Sequence, residues 1–125
     1  MVFKKITFLC TLKACGNIGI VEQGRLVHDQ LIQNEFDWDP ELNNALIDMY
    51  AKCRSLSEAH KVFKIGNMRE VVAWNSLIGG YSQQGQSEYV LGLFRDMQKE
   101  GLMPDKVTFA YTLKACASME TLNHG

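Results

Sequence analysis

The side chains best suited to chemistry in this sequence are its four cysteines and three histidines. Cys15 and Cys116 occupy the same place in a stretch that occurs twice, and no two cysteines have the C-x-x-C spacing of a metal or redox site. We therefore expect packed, reduced thiols, which indicates a reducing compartment. His28 aligns with phenylalanines of later repeats and is predicted to be a core residue. His60 and His124 have no cysteine or carboxylate at ligand spacing, so no metal site is predicted.

Other patterns typical of catalysis are missing from the sequence as well. It contains no recognisable nucleophile and base pair, phosphate-binding loop or metal signature. We therefore predict that the chain is not an enzyme and needs no cofactor. Two further polar residues are Asn75 and Asp105; taken alone, they are typical of a helix start and of the turn that follows Pro104.

The elements that must position these residues are helices. Residues 71–105 contain two segments whose apolar side chains recur at i, i+3, i+4 and i+7, a spacing that predicts one buried face per helix. Gly85 and Gly101 stand where the two helices must stop. The unit is a helical hairpin, and its predicted buried faces consist of Trp74, Leu77, Ile78 and Tyr81 in the first helix and Val90, Leu93, Phe94 and Met97 in the second.

This hairpin is repeated along the chain. A shift of 31 residues aligns Asn75 with Asn44 and Tyr81 with Tyr50, and a shift of 101 residues carries the run Thr-Leu-Lys-Ala-Cys at 11–15 onto 112–116. A single hairpin cannot cover both of its apolar faces, so neighbouring copies must stack. We predict one all-α solenoid segment over residues 1–125, divided into units at 5–39 (long), 40–70 (short), 71–105 (standard) and 106–125 (incomplete long).

Composition and charge set limits on function. The chain has 125 residues, 46% of them hydrophobic, with a net charge of −1, so no global positive field indicates a nucleic-acid ligand. No apolar run approaches the roughly 18 residues needed to cross a bilayer. The first five residues are too short for a signal or transit peptide, and Gly125 aligns with Gly24 inside a helix. We therefore expect a piece of a longer array.

The turns also carry predictions. Gly16 and Gly19 are expected to bracket the first one. Arg54 stands where another turn has a glycine, so either a left-handed arginine costs roughly 1 kcal/mol or that turn is rearranged. In the last unit we predict a first helix over 107–116 and fraying from about Ser118, because nothing follows to cover it.

Several motifs together resemble one family. They are Asn-Ala-Leu-Ile-Asp-Met-Tyr-Ala-Lys-Cys at 44–53, Ala-Trp-Asn-Ser-Leu-Ile-Gly-Gly-Tyr at 73–81, Phe-Arg-Asp-Met-Gln-Lys-Glu-Gly-Leu-Met-Pro-Asp at 94–105, and the Val-Thr-Phe and Leu-Lys-Ala-Cys runs of the last unit. With the alternating unit lengths, they resemble the plant pentatricopeptide repeat proteins whose long, short and standard repeats alternate. The resemblance implies a right-handed superhelix that binds single-stranded organellar RNA, about one base per repeat.

The resemblance also implies which residues read the base. In the standard repeat they are Asn75 and Asp105, a pair similar to those that favour uracil, with Val72 and Val107 packing on the base. An amide offers a donor and an acceptor to a pyrimidine edge, and a carboxylate can orient it.

The other units depart from that pattern. The short repeat supplies Asn44 with Glu70, and glutamate is unusual at that position. In the long repeats Leu9 and Ala110 cannot hydrogen-bond a base, so these units are expected to be spacers or weak contacts. Lys13 and Lys114 recur outside the apolar stripe, and they either contact phosphate or keep their helix face soluble.

Two classes of function remain open. The first is sequence-specific RNA binding in organellar RNA processing or editing, in a mitochondrion or plastid, with protein cofactors of editing as further partners and no membrane. The alternative is a protein-binding scaffold of the tetratricopeptide kind, which uses a similar hairpin on a 34-residue period. The unequal spacing and the Asn75 and Asp105 placement favour RNA.

Overall fold

The computed structural model describes residues 2–66 and 70–124, with side chains from residue 4 to residue 120 outside that gap. These residues form α-helices and no strand, which confirms the all-α prediction. Gly125, which the repeat alignment pairs with Gly24, lies outside the described residues. The helices are α1 (Val2–Ile18), α2 (Val21–Gln33), α3 (Pro40–Lys52), α4 (Leu56–Gly66), α5 (Val71–Gln83), α6 (Ser87–Lys99) and α7 (Lys106–His124).

The helices recur with the period of the sequence. Helix α5 begins and ends 31 residues after α3, and α6 begins and ends 66 residues after α2. The first helices of successive hairpins, α1, α3, α5 and α7, pack side by side, while α2, α4 and α6 each contact both the helix before and the helix after them. The result is a solenoid of stacked helical hairpins, in which each unit is covered by its neighbours.

The apolar stripes predicted from the sequence form the core. All four predicted residues of α5 are buried, and Trp74, only 1% exposed, meets the ring of Phe63 edge to face with centroids 4.7 Å apart. In α6 Val90, Leu93 and Met97 are buried, whereas Phe94 is half-buried and its ring lies 6.1 Å from that of Phe109. Burial of this apolar surface is the main favourable contribution to the stack.

Small residues set how closely neighbouring first helices approach. A Cβ atom built on Gly80 of α5 would lie 2.7 Å from Cβ of Ala51 in α3, and one built on Gly16 would lie 3.3 Å from Cα of Met49. The prediction that Gly16 belongs to the first turn is wrong, because it lies inside α1 at this helix contact. Gly19 alone has the left-handed backbone there, with φ of 85°.

All three described turns between paired helices use the same backbone geometry. Gly19, Arg54 and Gly85 have φ of 85°, 64° and 73°, and in each turn the following amide bonds back to a carbonyl five residues earlier, as Gln86 N does to Tyr81 O at 2.9 Å. Arg54 therefore keeps the left-handed conformation, and the alternative of a rearranged turn is wrong. The side chain of Arg54 is exposed to solvent, so it does not have to fit between the packed helices.

The last helix is longer than predicted. Helix α7 runs through Cys116 to His124 without the turn that ends α1. The shift of 101 residues that aligns the two long units places Glu120 at the position of Gly19. Glutamate adopts the left-handed backbone conformation of that turn only at a steric cost, which glycine does not have. Fraying beyond Ser118 stays a prediction. Leu113 is 68% exposed, whereas its equivalent Leu12 is fully buried in α1, which packs against both α2 and α3.

Histidines and tyrosines link the two layers of helices. His28 was predicted to lie in the core, and it is half-buried. Its Nδ1 lies 2.8 Å from Oη of Tyr50. His60 and Tyr81 make the same kind of contact one unit later, at 3.2 Å. Burial lowers the pKa of both imidazoles. Both rings are thus favoured as neutral hydrogen-bonding groups.

The cysteines differ in their surroundings. All four are free thiols; Cys15 is buried, and Sγ of Cys53 lies 3.9 Å from Sδ of Met49. Cys10 and Cys116 are exposed, so the prediction of packed thiols is wrong for these two. Cys116 has the same position as Cys15, but α7 continues past it to His124, whereas α1 ends at Ile18 and is followed by α2.

Candidate nucleic-acid interface

A groove runs across the first helices of three successive hairpins, α3, α5 and α7. It encloses about 330 Å³, and its lining includes Asn75, Asp105, Val72 and Val107. These four residues come from the ends of two neighbouring units, and the side-by-side packing of α5 and α7 brings them together. The residues that the sequence assigns to base contact in the standard repeat therefore share one surface.

Asp105 is fixed by its place at the start of α7. Its Oδ1 accepts hydrogen bonds from the backbone N–H groups of Val107 and Thr108, both at 3.1 Å. In return, the backbone N–H of Asp105 donates to Oγ1 of Thr108 at 3.2 Å. This reciprocal capping box holds the carboxylate at the N-terminal end of the helix, where the helix dipole also favours a negative charge.

Asn75 joins this cap through both atoms of its amide. Its Nδ2 donates to Oδ1 of Asp105 at 2.9 Å, and its Oδ1 lies 2.6 Å from Oγ1 of Thr108, which donates to it. Thr108 is fully buried, whereas Asn75 is half-buried and faces the groove. The side chain that would touch a ligand is thus held by two partners, Asp105 at the end of its own unit and Thr108 at the start of the following one.

The carboxylate of Asp105 remains ionised in this setting. The backbone hydrogen bond from Thr108 and then the side-chain hydrogen bond from Asn75 lower the pKa of Asp105 below its ordinary value. An ionised carboxylate can only accept hydrogen bonds. Asp105 therefore directs the N–H side of the Asn75 amide toward itself.

Apolar side chains stand beside this polar pair. Val72 is 58% exposed and Val107 is 44% exposed, although both belong to otherwise well-packed helices. Tyr111 also lines the groove, and a Cβ atom on Gly79 would lie 2.9 Å from its Oη. Sequence reasoning missed Tyr111, whose signal was an aromatic residue on the same side of α7 as Val107.

The short-repeat pair is built differently. Glu70 precedes α5 in the way Asp105 precedes α7, but its exposed side chain makes no hydrogen bond that caps the helix. Its extra methylene moves the carboxylate away from the backbone amides. Asn44 lies half-buried in α3, and Ala73 holds the place that Thr108 has in the next junction. Alanine cannot donate to an asparagine side chain.

The remaining predicted contact residues are those of the long repeats and the two lysines. Leu9 packs against the core and Ala110 is exposed, so neither offers a polar group. At the end of the first long unit, Asp39 is buried, caps α3 and lies 3.0 Å from Nζ of Lys5. Lys13 and Lys114 are exposed, but the lysine that lines the groove is Lys52.

Models of one repeat family match residues within the short, standard and last units. A model of the PPR repeat family matches residues 69–118, and a model of the PPR repeat matches residues 44–65. The chain belongs to the pentatricopeptide repeat family. Members of this family are in general RNA-binding helical-repeat proteins of organelles without enzymatic activity of their own.

Pentatricopeptide repeat proteins of Arabidopsis thaliana are similar over nearly the whole chain. It is 41% identical over 122 residues to the chloroplastic protein ELI1, a match that covers 97% of this chain and 19% of that protein. It is 38% identical over 121 residues to a mitochondrial pentatricopeptide repeat-containing protein, covering 96% of this chain and 22% of that protein. The chain spans about a fifth of the length of these curated relatives.

Metal-binding clusters and membrane-spanning helices are both absent from the described part of this pentatricopeptide repeat chain. Between residues 4 and 120, outside the gap at 67–69, histidine, cysteine and carboxylate side chains do not gather in threes that could hold a metal ion. None of the helices as described is long and apolar enough to span a membrane.

Proposed function

We propose that this chain is a segment of a longer pentatricopeptide array that binds single-stranded RNA sequence-specifically in organellar RNA processing or editing. The observation that carries the proposal is the hydrogen-bonded pair Asn75 and Asp105 in a groove flanked by Val72 and Val107. A base fits this arrangement because its flat faces can pack on the valines while its edge meets the amide. The proposal divides the chain into repeats at 5–39, 40–70, 71–105 and 106–125.

In this proposal the standard repeat reads the base. Asn75 presents a donor and an acceptor to a pyrimidine edge, and Asp105 orients the amide from behind. Uracil is the favoured base. Val72 of α5 and Val107 of α7 line the groove together with the reading pair, and in this proposal the base is held between these two valines of successive repeats.

The remaining units contribute less. Asn44 and Glu70 form a weaker reader in the short repeat, because Glu70 does not cap α5 as Asp105 caps α7. Long repeats act as spacers, since Leu9 and Ala110 have no side-chain polar group and Asp39 is engaged by Lys5. Lys13 and Lys114, both exposed, are candidate phosphate contacts at the ends of the array segment.

The names of similar proteins support an organellar setting for this function. Similar proteins are named as chloroplastic or mitochondrial, and we place the parent protein in one of these organelles. Protein cofactors of RNA editing are further partners in this proposal. The chain itself recognises RNA and does no chemistry, so any reaction on the RNA belongs to other domains or proteins.

Magnitudes limit what this segment does alone. Base contacts contribute roughly 1 to 3 kcal/mol each, whereas association costs on the order of 4 to 15 kcal/mol. With two reading repeats, the segment is expected to bind RNA weakly, with a Kd of about 1 mM. Useful affinity then requires further repeats, each of which adds contacts without a second association cost.

The proposal is tested by NMR titration of the 125-residue chain with oligouridylate, oligocytidylate and oligoadenylate of matched length. We expect shifts confined to the backbone and side-chain signals of the groove, largest for oligouridylate and absent in the double variant Asn75→Ala with Val72→Ala. Shifts spread over the second helices α2, α4 and α6, or retention only of proteins from an RNase-treated extract, would instead support a protein-binding scaffold of the tetratricopeptide kind.

A further inference from the structure

We infer that Tyr111 is a specificity-determining residue of the groove: its hydroxyl binds the ribose 2′-hydroxyl of the nucleotide at the standard repeat, so that this repeat prefers RNA to DNA. The inference rests on the proposed RNA-binding function and adds the sugar to the groups that are recognised. Tyr111 lines the same groove as Asn75 and Val107, and base recognition as proposed does not require it.

The position of the Tyr111 ring follows from a glycine on the facing helix. A Cβ atom built on Gly79 of α5 would lie 2.9 Å from Oη of Tyr111, 3.0 Å from its Cζ and 3.1 Å from its Cε2. The hydroxyl end of the ring therefore lies directly against the Cα atom of Gly79, an approach that a larger residue would prevent. Gly79 is buried and Tyr111 is half-buried. The ring thus reaches from α7 to α5 and forms part of the groove wall.

The hydroxyl group of Tyr111 is free to bind a ligand. Among the side chains and backbone groups that the structure describes, its Oη has no hydrogen-bond partner. The amide of Asn75 and the carboxylate of Asp105, in contrast, are bonded to each other, and Asp105 also caps α7. A phenol hydroxyl both donates and accepts hydrogen bonds. Tyr111 therefore offers an unused donor and acceptor in the groove that contains the reading pair.

Helix geometry places this hydroxyl one turn beyond the reading amide. Tyr111 follows Val107 by four residues in α7, so both side chains lie on one face of that helix. Gly79 likewise follows Asn75 by four residues in α5, a rise of about 6 Å along the helix axis. A pyrimidine whose pairing edge meets Asn75 carries its ribose on the other side of the ring. The ribose is then the part of the nucleotide that can reach the next turn.

The charges of the groove favour a neutral partner for Tyr111. The groove is lined by the carboxylates of Asp48 and Asp105 and by one lysine, Lys52, whose Nζ lies 3.0 Å from Oδ2 of Asp48. Two carboxylates against one ammonium group disfavour an anionic phosphate inside the groove. The ribose 2′-hydroxyl is neutral, donates and accepts as the tyrosine hydroxyl does, and distinguishes RNA from DNA.

The other units have no side chain of this reach. The place of Tyr111 is held by Cys10 in the first long unit, by Ala45 in the short unit and by Ser76 in the standard unit. None of these three side chains is long enough to extend over a neighbouring first helix. The sugar contact is therefore expected at one junction, between the standard unit and the last unit, where Asn75 and Asp105 also meet.

The test compares the full 125-residue chain with its variant Tyr111→Phe, which keeps the ring and removes only the hydroxyl. Each is titrated by NMR with oligouridylate and with oligodeoxyuridylate of the same length, which share the base and differ at the 2′ position. The wild-type chain should bind the RNA more tightly. The variant should lower the ratio of the DNA Kd to the RNA Kd by roughly two- to tenfold, the effect of one hydrogen bond.

The matched control is Tyr89→Phe, at an exposed tyrosine of α6, which should leave the ratio of Kd values unchanged. A ratio that is equal in Tyr111→Phe and in the wild type overturns the inference. If both Kd values rise equally, the hydroxyl contacts a base or a phosphate, which RNA and DNA share. If the wild-type chain binds neither oligonucleotide, the proposed function fails and the sugar contact fails with it.

A second readout follows Tyr111 in the wild-type chain. With ¹³C-labelled tyrosine, the Cζ signal reports hydrogen bonding of the attached hydroxyl. The Cζ signal of Tyr111 should move on addition of oligouridylate and move less with oligodeoxyuridylate at equal occupancy, while that of Tyr89 stays in place. A Tyr111 signal that responds equally to both oligonucleotides, or to neither, overturns the inference even if Tyr111→Phe fails to fold.

Discussion

The side-chain amide of Asn75 donates a 2.9 Å hydrogen bond to the carboxylate of Asp105, a residue thirty positions later in the chain. The bond joins the first turn of α5 to the start of α7, so it spans two hairpins and not one. Correct stacking of neighbouring units is therefore a condition for the reading pair to exist. Recognition and packing are coupled at this contact.

The first prediction concerns Asn75 itself. In an array extended by further repeats, Asn75→Thr should move the preference of this position from pyrimidine toward purine, because a hydroxyl carries its donor and acceptor on one atom and cannot meet two adjacent groups of a pyrimidine edge as the two atoms of an amide do. Fluorescence anisotropy with RNAs that differ at one base measures the change. Asn17→Thr, on the exposed surface of α1, is the control. An unchanged preference in the Asn75 variant would count against its reading role.

The second prediction concerns the contact between α3 and α5. Gly80→Ala should lower the free energy of unfolding by roughly 1 to 3 kcal/mol, because the new methyl group would lie 2.7 Å from Cβ of Ala51, which cannot move without its helix. Gly92→Ala, where a Cβ meets nothing within 4 Å, should raise it by up to about 1 kcal/mol. Urea denaturation of both variants is the measurement. Equal effects would show that the helix contact is not close.

The third prediction uses the left-handed residue Arg54, whose φ is 64°. Arg54→Gly should raise the free energy of unfolding by about 1 kcal/mol, because glycine adopts this conformation without steric cost. Gly85→Ala at the equivalent turn should lower it by a similar amount, and the open space around Gly85 makes that cost purely conformational. Thermal unfolding followed by circular dichroism tests both. Destabilisation by Arg54→Gly would contradict the prediction.

The fourth prediction is a loss of stability in mild acid. Burial lowers the pKa of His28 and His60 in the folded chain, so the unfolded chain takes up more protons once the pH falls below the ordinary histidine pKa of about 6.5. The free energy of unfolding should be constant above that pH and decline between about pH 6.5 and 5. The double variant His28→Gln with His60→Gln should show a flatter profile. A wild-type profile that is flat down to about pH 5 would exclude this contribution of the histidines.

The sequence predicts the fold well because its signals are local and repeated. The apolar stripe through Trp74 and Tyr81 has helical period, and the same stripe one unit earlier ends at Tyr50. Any error in one unit is corrected by the others. Two helix bounds were predicted wrongly. Gly16 was assigned to a turn, but it is a glycine because its helix packs closely against α3. The end of α7 was placed too early, because Glu120 stands where the first unit has its turn glycine.

The candidate site was predictable only in part. Asn75 and Asp105 were predicted as a pair because their places in the standard repeat match those that the family resemblance implies for base reading. Thr108 was missed as a member of the site, although the pattern Asp105-x-x-Thr108 is a capping-box signal. A capping pattern predicts a hydrogen bond between the hydroxyl and the backbone. It does not predict that the same hydroxyl donates to a side chain of α5. That second contact depends on how α5 and α7 pack.

The position of Thr108 has a practical consequence for the engineering of such arrays. A cassette cut between Asp105 and Lys106, at the boundary of the repeating unit, separates Asn75 from the hydroxyl bonded to it. If repeats are exchanged as such cassettes, the hydrogen bonds made by the asparagine of each will vary with the first residues of its successor. Cassettes whose junction falls after Thr108 would carry their complete reading group with them.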